Sequence, residues 1–156
     1  MEKLYRVEKD FLGEKEIESN KYYGIQTLRA KENFDITKTS LSLFPNFIKS
    51  LAKVKKACAL TNFELGDLTD VQKDAIVQAC NEIIDGKFRD QFIVDPIQGG
   101  AGTSTNMNVN EVIANRALEI LGKPKSSYDI IHPNNHINMS QSTNDVYPTA
   151  IKLTLH

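Results

Sequence analysis

Three runs of apolar residues at helical spacing, each bracketed by its own start and stop signals, constrain this chain more than any other feature. The first opens at Pro45, which suits the first helical position because its missing N–H has no intrahelical partner there. Phe47, Ile48, Leu51, Val54 and Cys58 follow on one face, and Gly66 closes the run. Lys49, Lys53, Lys55 and Lys56 are expected on the solvated faces of this helix rather than as an anion site. The second run starts at Thr69, with Gln72 in the capping-box position. Val71, Ala75, Ile76, Ala79, Cys80 and Ile83 form its stripe, and Gly86 stands where a C-terminal glycine belongs. The third runs from about Thr105 to Leu121, with Met107, Val109, Val112, Ile113, Ala117 and Ile120 on its buried side and Gly122 and Pro124 beyond. Residues 1–40 lack helical periodicity and carry turn signals at Gly13 and Gly24; they are expected to be irregular, with room for a short hairpin. Residues 92–95 could be extended, and no internal repeat is present. A mainly α fold follows.

A length of 156 residues with 40% hydrophobic and 25% charged side chains fits about one ordinary globular domain. The net charge of −1 lacks the basic excess that nucleic-acid or membrane-surface binding requires. No apolar run is long enough to span a bilayer, and the N-terminal residues lack a signal-peptide core. The expected setting is therefore cytoplasmic. Cys58 and Cys80, each on an apolar stripe, are expected to be reduced core residues.

Two polar segments stand apart from this scaffold, and each leads into a helix. In Gln98-Gly-Gly-Ala-Gly-Thr-Ser-Thr-Asn-Met-Asn108, Gly99, Gly100 and Gly102 allow close backbone approach. Hydroxyl and amide side chains follow at once. Free N–H groups and the positive end of a helix dipole make such a terminus an anion site. Neither a Walker A nor a G-x-G-x-x-G pattern is present. A glycine-rich turn with Ser/Thr capping the helix reads the same residues without any ligand. The second segment, residues 132–148, is dense in Asn, Ser, Thr and His, and Pro148 is expected to start a helix just downstream of Ser142, Thr143 and Asn144. Two such termini converging would hold a small dianion with few cationic side chains. His132 and His136 have zinc-like spacing, but Pro133 and two asparagines intervene and no third ligand is evident, so no metal is expected. Ser142 lacks the G-x-S-x-G elbow of a catalytic serine.

Residues 100–115 (Gly-Ala-Gly-Thr-Ser-Thr-Asn-Met-Asn-Val-Asn-Glu-Val-Ile-Ala-Asn) and 140–145 (Ser-Gln-Ser-Thr-Asn-Asp) resemble signature segments of the aspartase/fumarase superfamily. Residues 22–34, 92–100 and 141–149 are more similar to the aspartate ammonia-lyase branch than to its relatives. The resemblance extends from about residue 8 to the end of the sequence. It implies a carbon–nitrogen lyase that reversibly eliminates ammonia from L-aspartate to give fumarate, without a cofactor, through an aci-carboxylate intermediate. Thr103 matches the substrate-binding threonine of the glycine-rich loop, and Ser142, Thr143 and Asn144 match the substrate-binding run of the second motif. Residues His132, Asn134 and Asn135 resemble part of an accessory dicarboxylate site. The resemblance also implies a helical N-terminal domain, residues 1–139, followed by the first turns of a central helical bundle, residues 140–156. Residues 151–155 alternate like a strand when read alone, and the resemblance implies helix there.

Family members are several times longer. They carry a flexible Gly-Ser-Ser-x-Met-Pro-x-Lys-x-Asn loop whose serine is the proposed base, and a Thr-His pair in a middle segment; neither occurs in this sequence. No catalytic residue is therefore expected among these 156, and the chain alone is expected to be inactive. The family's sites are built from three subunits of a homotetramer, so the same assembly is expected of a full-length enzyme. The alternatives are a class II fumarase, interconverting L-malate and fumarate, and a non-catalytic helical module that binds an anion or a partner.

Overall fold

The computed structural model describes residues 4–156. A hairpin, β1 (Tyr5–Asp10) and β2 (Gly13–Glu18), is followed by α1 (Ile25–Asn33), a 3-10 turn at Leu41–Leu43, α2 (Pro45–Glu64) and α3 (Asp70–Ile84). A second 3-10 turn at Arg89–Gln91, α4 (Thr103–Ile120), a π-helical turn at Pro133–Ile137 and α5 (Thr143–Leu155) complete the chain. The two strands pair antiparallel, with Arg6 opposite Ile17 and Val7 opposite Glu16.

Helix α2 packs against α3 and α5, while α4 lies between α1, α3 and the π-helical turn. Leu51, Ile76, Cys80, Phe92, Val109, Val112, Ile113, Leu118 and Ile131 interlock as one core. The mainly α expectation holds. The predicted starts at Pro45 and Thr69 are the observed ones, and the Thr69–Gln72 capping box forms. Gly66 and Gly86 take the left-handed backbone that ends a helix.

Helix α4 is buried nearly all round, yet much of its buried surface is polar. Its asparagines hold irregular segments in place by satisfying their backbone groups. Asn108 accepts from the Ile93 N–H and donates to the Gln91 carbonyl, each at 3.0 Å. Asn115 donates to the Tyr22 carbonyl and accepts from the Ser126 N–H, each at 2.8 Å. Glu111, 1% exposed, does the same for α1. Its carboxylate accepts from the N–H groups of Gly24, Gln26 and Thr27 at 2.8, 2.9 and 3.0 Å, and from the Thr27 hydroxyl at 2.5 Å. The buried Glu8 accepts from the Ile25 N–H at 2.8 Å. Two carboxylates thus stand at the positive end of the α1 dipole. Burial pushes the Glu111 pKa up to about 7, against the pull of the Thr27 and Gln26 donors.

Several local expectations give way. In residues 1–40 the short hairpin forms as β1 and β2, but the rest is not all irregular, since it contains α1; residues 1–3 lie outside those described. The inward hairpin face carries Arg6, Glu8, Asp10 and Lys15 beside Ile17, so it lacks the apolar alternation that marks a strand. Residues 92–95 form no strand, although the Phe92 and Val94 carbonyls accept from Ser42 and Leu41. Helix α4 starts at Thr103, two residues early, and Val71 is solvent-exposed. Pro148 lies inside α5 rather than opening it, because Ser142 and Asp145 form a capping box that sets the start upstream. Residues 151–155 are helical. Lys55 is not solvated; it is 1% exposed.

Candidate functional site

The glycine-rich loop delivers the start of α4 without any side-chain cap. Gly102 is the N-cap at φ +87°, and a Cβ there would fall 2.2–2.5 Å from the Tyr147 ring of α5. Only glycine allows this close approach of α4 to α5. Gln98 takes the Thr105 N–H at 2.8 Å, and no side chain among the described residues accepts from the N–H of Thr103 or Ser104. Both residues face a cavity of about 510 Å³ shared with Gln26, Arg29, Phe34 and Met107. Arg29 is the one cation in its lining and is held by Asp10 through two bonds of 2.7 and 2.8 Å. The Arg29 guanidinium in turn holds the Asp10 carboxyl below its ordinary range. Residues Ser142, Thr143 and Asn144 do not line this cavity.

At the start of α5, Ser142 Oγ accepts the Asn144 N–H at 3.2 Å and Asp145 caps the Ser142 N–H. Ser142 and Asn144 are exposed. Thr143 Oγ1 accepts from Asn106 Nδ2 on the first turns of α4 at 3.3 Å. Asn106 thus links the first turn of α4 directly to the first turn of α5, a juxtaposition that the residue pattern left open. Just upstream, Ser140 holds a left-handed φ of 60°, a conformation costing a non-glycine residue about 1–2 kcal/mol.

Asn106 also belongs to a partly buried amide cluster around Lys55. Lys55 Nζ donates to Asn138 Oδ1 and Gln141 Oε1, both at 2.9 Å. Asn138 Oδ1 also accepts from Asn106 Nδ2 at 2.8 Å and Asn110 Nδ2 at 3.3 Å. The amides of Asn138 and Gln141 donate in turn to carbonyls of residues 137–141 and fix that turn. Burial lowers the Lys55 pKa to about 7. Asn106 Oδ1 and Asn110 Oδ1 are buried and have no hydrogen-bond partner among the described residues.

His132 caps the π-helical turn: its Nδ1 accepts the N–H groups of Asn134 and Asn135 at 3.0 and 3.3 Å. His136 Nδ1 accepts the His132 N–H at 2.8 Å. Burial lowers both imidazole pKa values. The Asn134 and Asn135 side chains face solvent. Among the described residues no group of three or more His, Cys, Asp or Glu side chains is placed to hold a metal ion.

Reading the sequence missed Arg29, Lys55, Asn106, Asn138 and Gln141. Arg29 lies on α1, whose sequence carries no apolar helical stripe. Asn106, Asn138 and Gln141 lie on the two polar segments and Lys55 on α2, but their pairings span up to 86 positions and leave no local signal.

The chain matches the lyase family over residues 13–156. It is 60% identical over 151 residues to an aspartate ammonia-lyase of Helicobacter pylori, with 97% of this chain and 32% of that protein covered. It is 62% identical over 153 residues to an aspartate ammonia-lyase of Bacillus subtilis, with coverage of 98% and 32%. Among solved structures, the fumarate lyase:delta crystallin of Brucella melitensis in native form superimposes with a TM-score of 0.94 at 56% identity, covering 98% of this chain and 36% of that one. The class II fumarase of Schistosoma mansoni gives 0.89 at 40% identity, with coverage of 97% and 32%. The chain spans about a third of the length of the curated relatives it matches.

Proposed function

Because the chain belongs to the lyase family, we propose that its residues form the substrate-carboxylate side of an aspartate ammonia-lyase site, reversibly converting L-aspartate to fumarate and ammonia. The observation that supports this best is the convergence of the uncapped α4 start with the α5 start through Asn106 and Thr143. Removing a proton from the carbon next to a carboxylate turns that carboxylate into an aci-carboxylate dianion. Donors already aimed at it stabilise the growing charge without reorganising. The Thr103, Ser142 and Thr143 hydroxyls, the Asn144 amide and the N–H groups of Thr103 and Ser104 are such donors. None of them exchanges protons in this scheme, and no base is assigned within the chain.

His132, Asn134 and Asn135 belong to the same proposal as an accessory anion site, reached through His132 Nε2 and the two exposed amides. So do the division at residues 139/140, the homotetramer and the cytoplasmic setting. Among the described residues no helix is long and apolar enough to cross a membrane. The class II fumarase reading stands second, since identity to the solved fumarase is 40% against 60–62% for two of the aspartate ammonia-lyases.

The test is the complete gene product that contains these residues, followed by the ultraviolet absorbance of fumarate. The signal rises with L-aspartate and not with L-malate. Turnover of malate alone moves the assignment to fumarase; dicarboxylate binding with turnover of neither moves it to a binding module.

A further inference from the structure

We propose that Lys55 is a positioning residue that sets, through Asn138 and Asn106, the direction in which the Thr143 hydroxyl donates. This deepens the reading of Thr143 as a carboxylate donor and rests on it. The starting point is a pair of buried oxygens, Asn106 Oδ1 and Asn110 Oδ1, that have no partner among the described residues. An amide whose nitrogen is bonded to protein while its buried oxygen is not is held in that orientation by its neighbours.

Lys55 supplies that constraint. It lies on α2 among apolar core residues, 1% exposed, and an ammonium has donors only. Its bond at 2.9 Å obliges Asn138 to present Oδ1. That same oxygen faces Asn106 and Asn110, so both must present Nδ2, and their own oxygens turn away. Flipping Asn106 alone would set its oxygen against Asn138 Oδ1; flipping Asn138 as well would set an NH2 against Lys55. The second N–H of Asn106 then reaches Thr143 Oγ1 at 3.3 Å and occupies a lone pair of the hydroxyl. No acceptor for the Thr143 O–H lies among the described residues, so that proton points outward. A carboxylate only accepts, and this is the hydroxyl polarity that it needs. Neutral Lys55 still has two N–H groups for its two acceptors, so the order survives deprotonation.

The experiment has two arms. In the complete gene product, Lys55→Met and Thr143→Val are compared singly and together. Lys55→Met is expected to lower kcat/KM about ten- to a hundredfold, the scale of one charge-assisted donor. In the Thr143→Val background it is expected to change kcat/KM by less than about twofold, because the group it acts through is gone. Factors that multiply instead would make Lys55 a structural residue and overturn the proposal. Should Lys55→Met fail to fold, Asn106→Leu replaces it in the same cycle, since it cuts the chain while leaving the Lys55–Asn138 bond. The second arm uses the 156-residue chain and needs no turnover. In its amide NMR spectrum, Lys55→Met is expected to shift the Asn138 and Asn106 side-chain amides and the Thr143 backbone amide. A folded variant that leaves Asn106 and Thr143 unmoved overturns the proposal. A wild-type enzyme inactive on aspartate overturns the assigned reaction instead, and the NMR arm still decides the relay.

Discussion

Gly24→Ala isolates the carboxylate clamp that places α1 against α4. Gly24 has φ −117° and ψ −163°, a backbone that alanine adopts freely, so any cost is steric. The added methyl would lie 2.7 Å from Glu8 Oε2 and 2.8 Å from the Glu111 carboxyl carbon and Oε1. Neither group can swing aside cheaply. Glu111 is held by four donors, and Glu8 by the Ile25 N–H, Ser126, Tyr128 and Arg6. Losing one charge-assisted bond costs about 1.5–3 kcal/mol, and overpacking adds about 1–3. Stiffening the unfolded chain returns about 0.4–1. The net is a loss of about 2–5 kcal/mol, or roughly 5–15 °C in Tm for a chain of this size, read by circular dichroism on heating and by urea titration. Gly86→Ala is the control, with open space around its Cβ and only the left-handed φ of +94° to oppose it, at about 1–2 kcal/mol. If Gly24→Ala is no more harmful than Gly86→Ala, the two carboxylates are not a rigid clamp and the reasoning fails.

Thr103→Val and Asn144→Ala, in the complete gene product, are expected to lower kcat/KM for L-aspartate by about tenfold or more, because each removes a donor to an anion; steady-state kinetics equal to wild type would remove both from the site. Ser142→Ala is expected to cost about 1 kcal/mol of stability through the lost cap, seen as a lower urea midpoint, in addition to any kinetic effect. Lys55 gives a pH signature: its pKa is about 7 when folded against 10.5 ordinarily, so between those values the unfolded chain holds more protons and stability rises with pH. Urea midpoints that climb from pH 7 to 9.5 in wild type and stay level in Lys55→Met are expected; equal slopes would place the lysine in water. Cys80 is buried, its thiol pushed up to about 12 by burial, and should resist thiol reagents until denaturant is added, whereas rapid labelling of the native chain would contradict the packing.

What could be read from the sequence was what neighbouring residues decide among themselves. The α3 start is written in Thr69 and Gln72, and the α2 start in Pro45, because those signals act within one turn. Pro148 misled for the same reason: its missing N–H favours a helix start, but the Ser142–Asp145 box six residues earlier is the stronger local signal. Helix α1 was illegible because its cap is Glu111, more than eighty positions away. A lysine on α2 reads as solvated by every local rule, since its burial depends on Asn138 and Gln141. At the site, Thr103 and Ser142 to Asn144 stood out as residue types, whereas the amides that orient them are ordinary asparagines until the fold sets them side by side.

These missed pairings share one element, and that bears on how the site is kept. Asn106, Asn108, Glu111 and Asn115 lie along α4 and anchor, in turn, the α5 start, the segment at residues 91–93, the α1 start and the turn at Ser126. A hydrophobic helix could pack the core as well, but its contacts would not fix the register of irregular backbone. Amides and a carboxylate do, because each accepts or donates at one angle and an unmade bond in the interior is costly. Burial of polar groups here is thus a positioning device that extends from the fold into the site. Its weak point is the same as its strength. An apolar substitution at Asn108 or Asn115, which do not line the cavity, should loosen the segments holding α1 and the glycine-rich loop and so disturb the donors at Thr103, whereas an equal loss of apolar contact at Ala79 on α3 should lower stability and leave the affinity for dicarboxylate as it was.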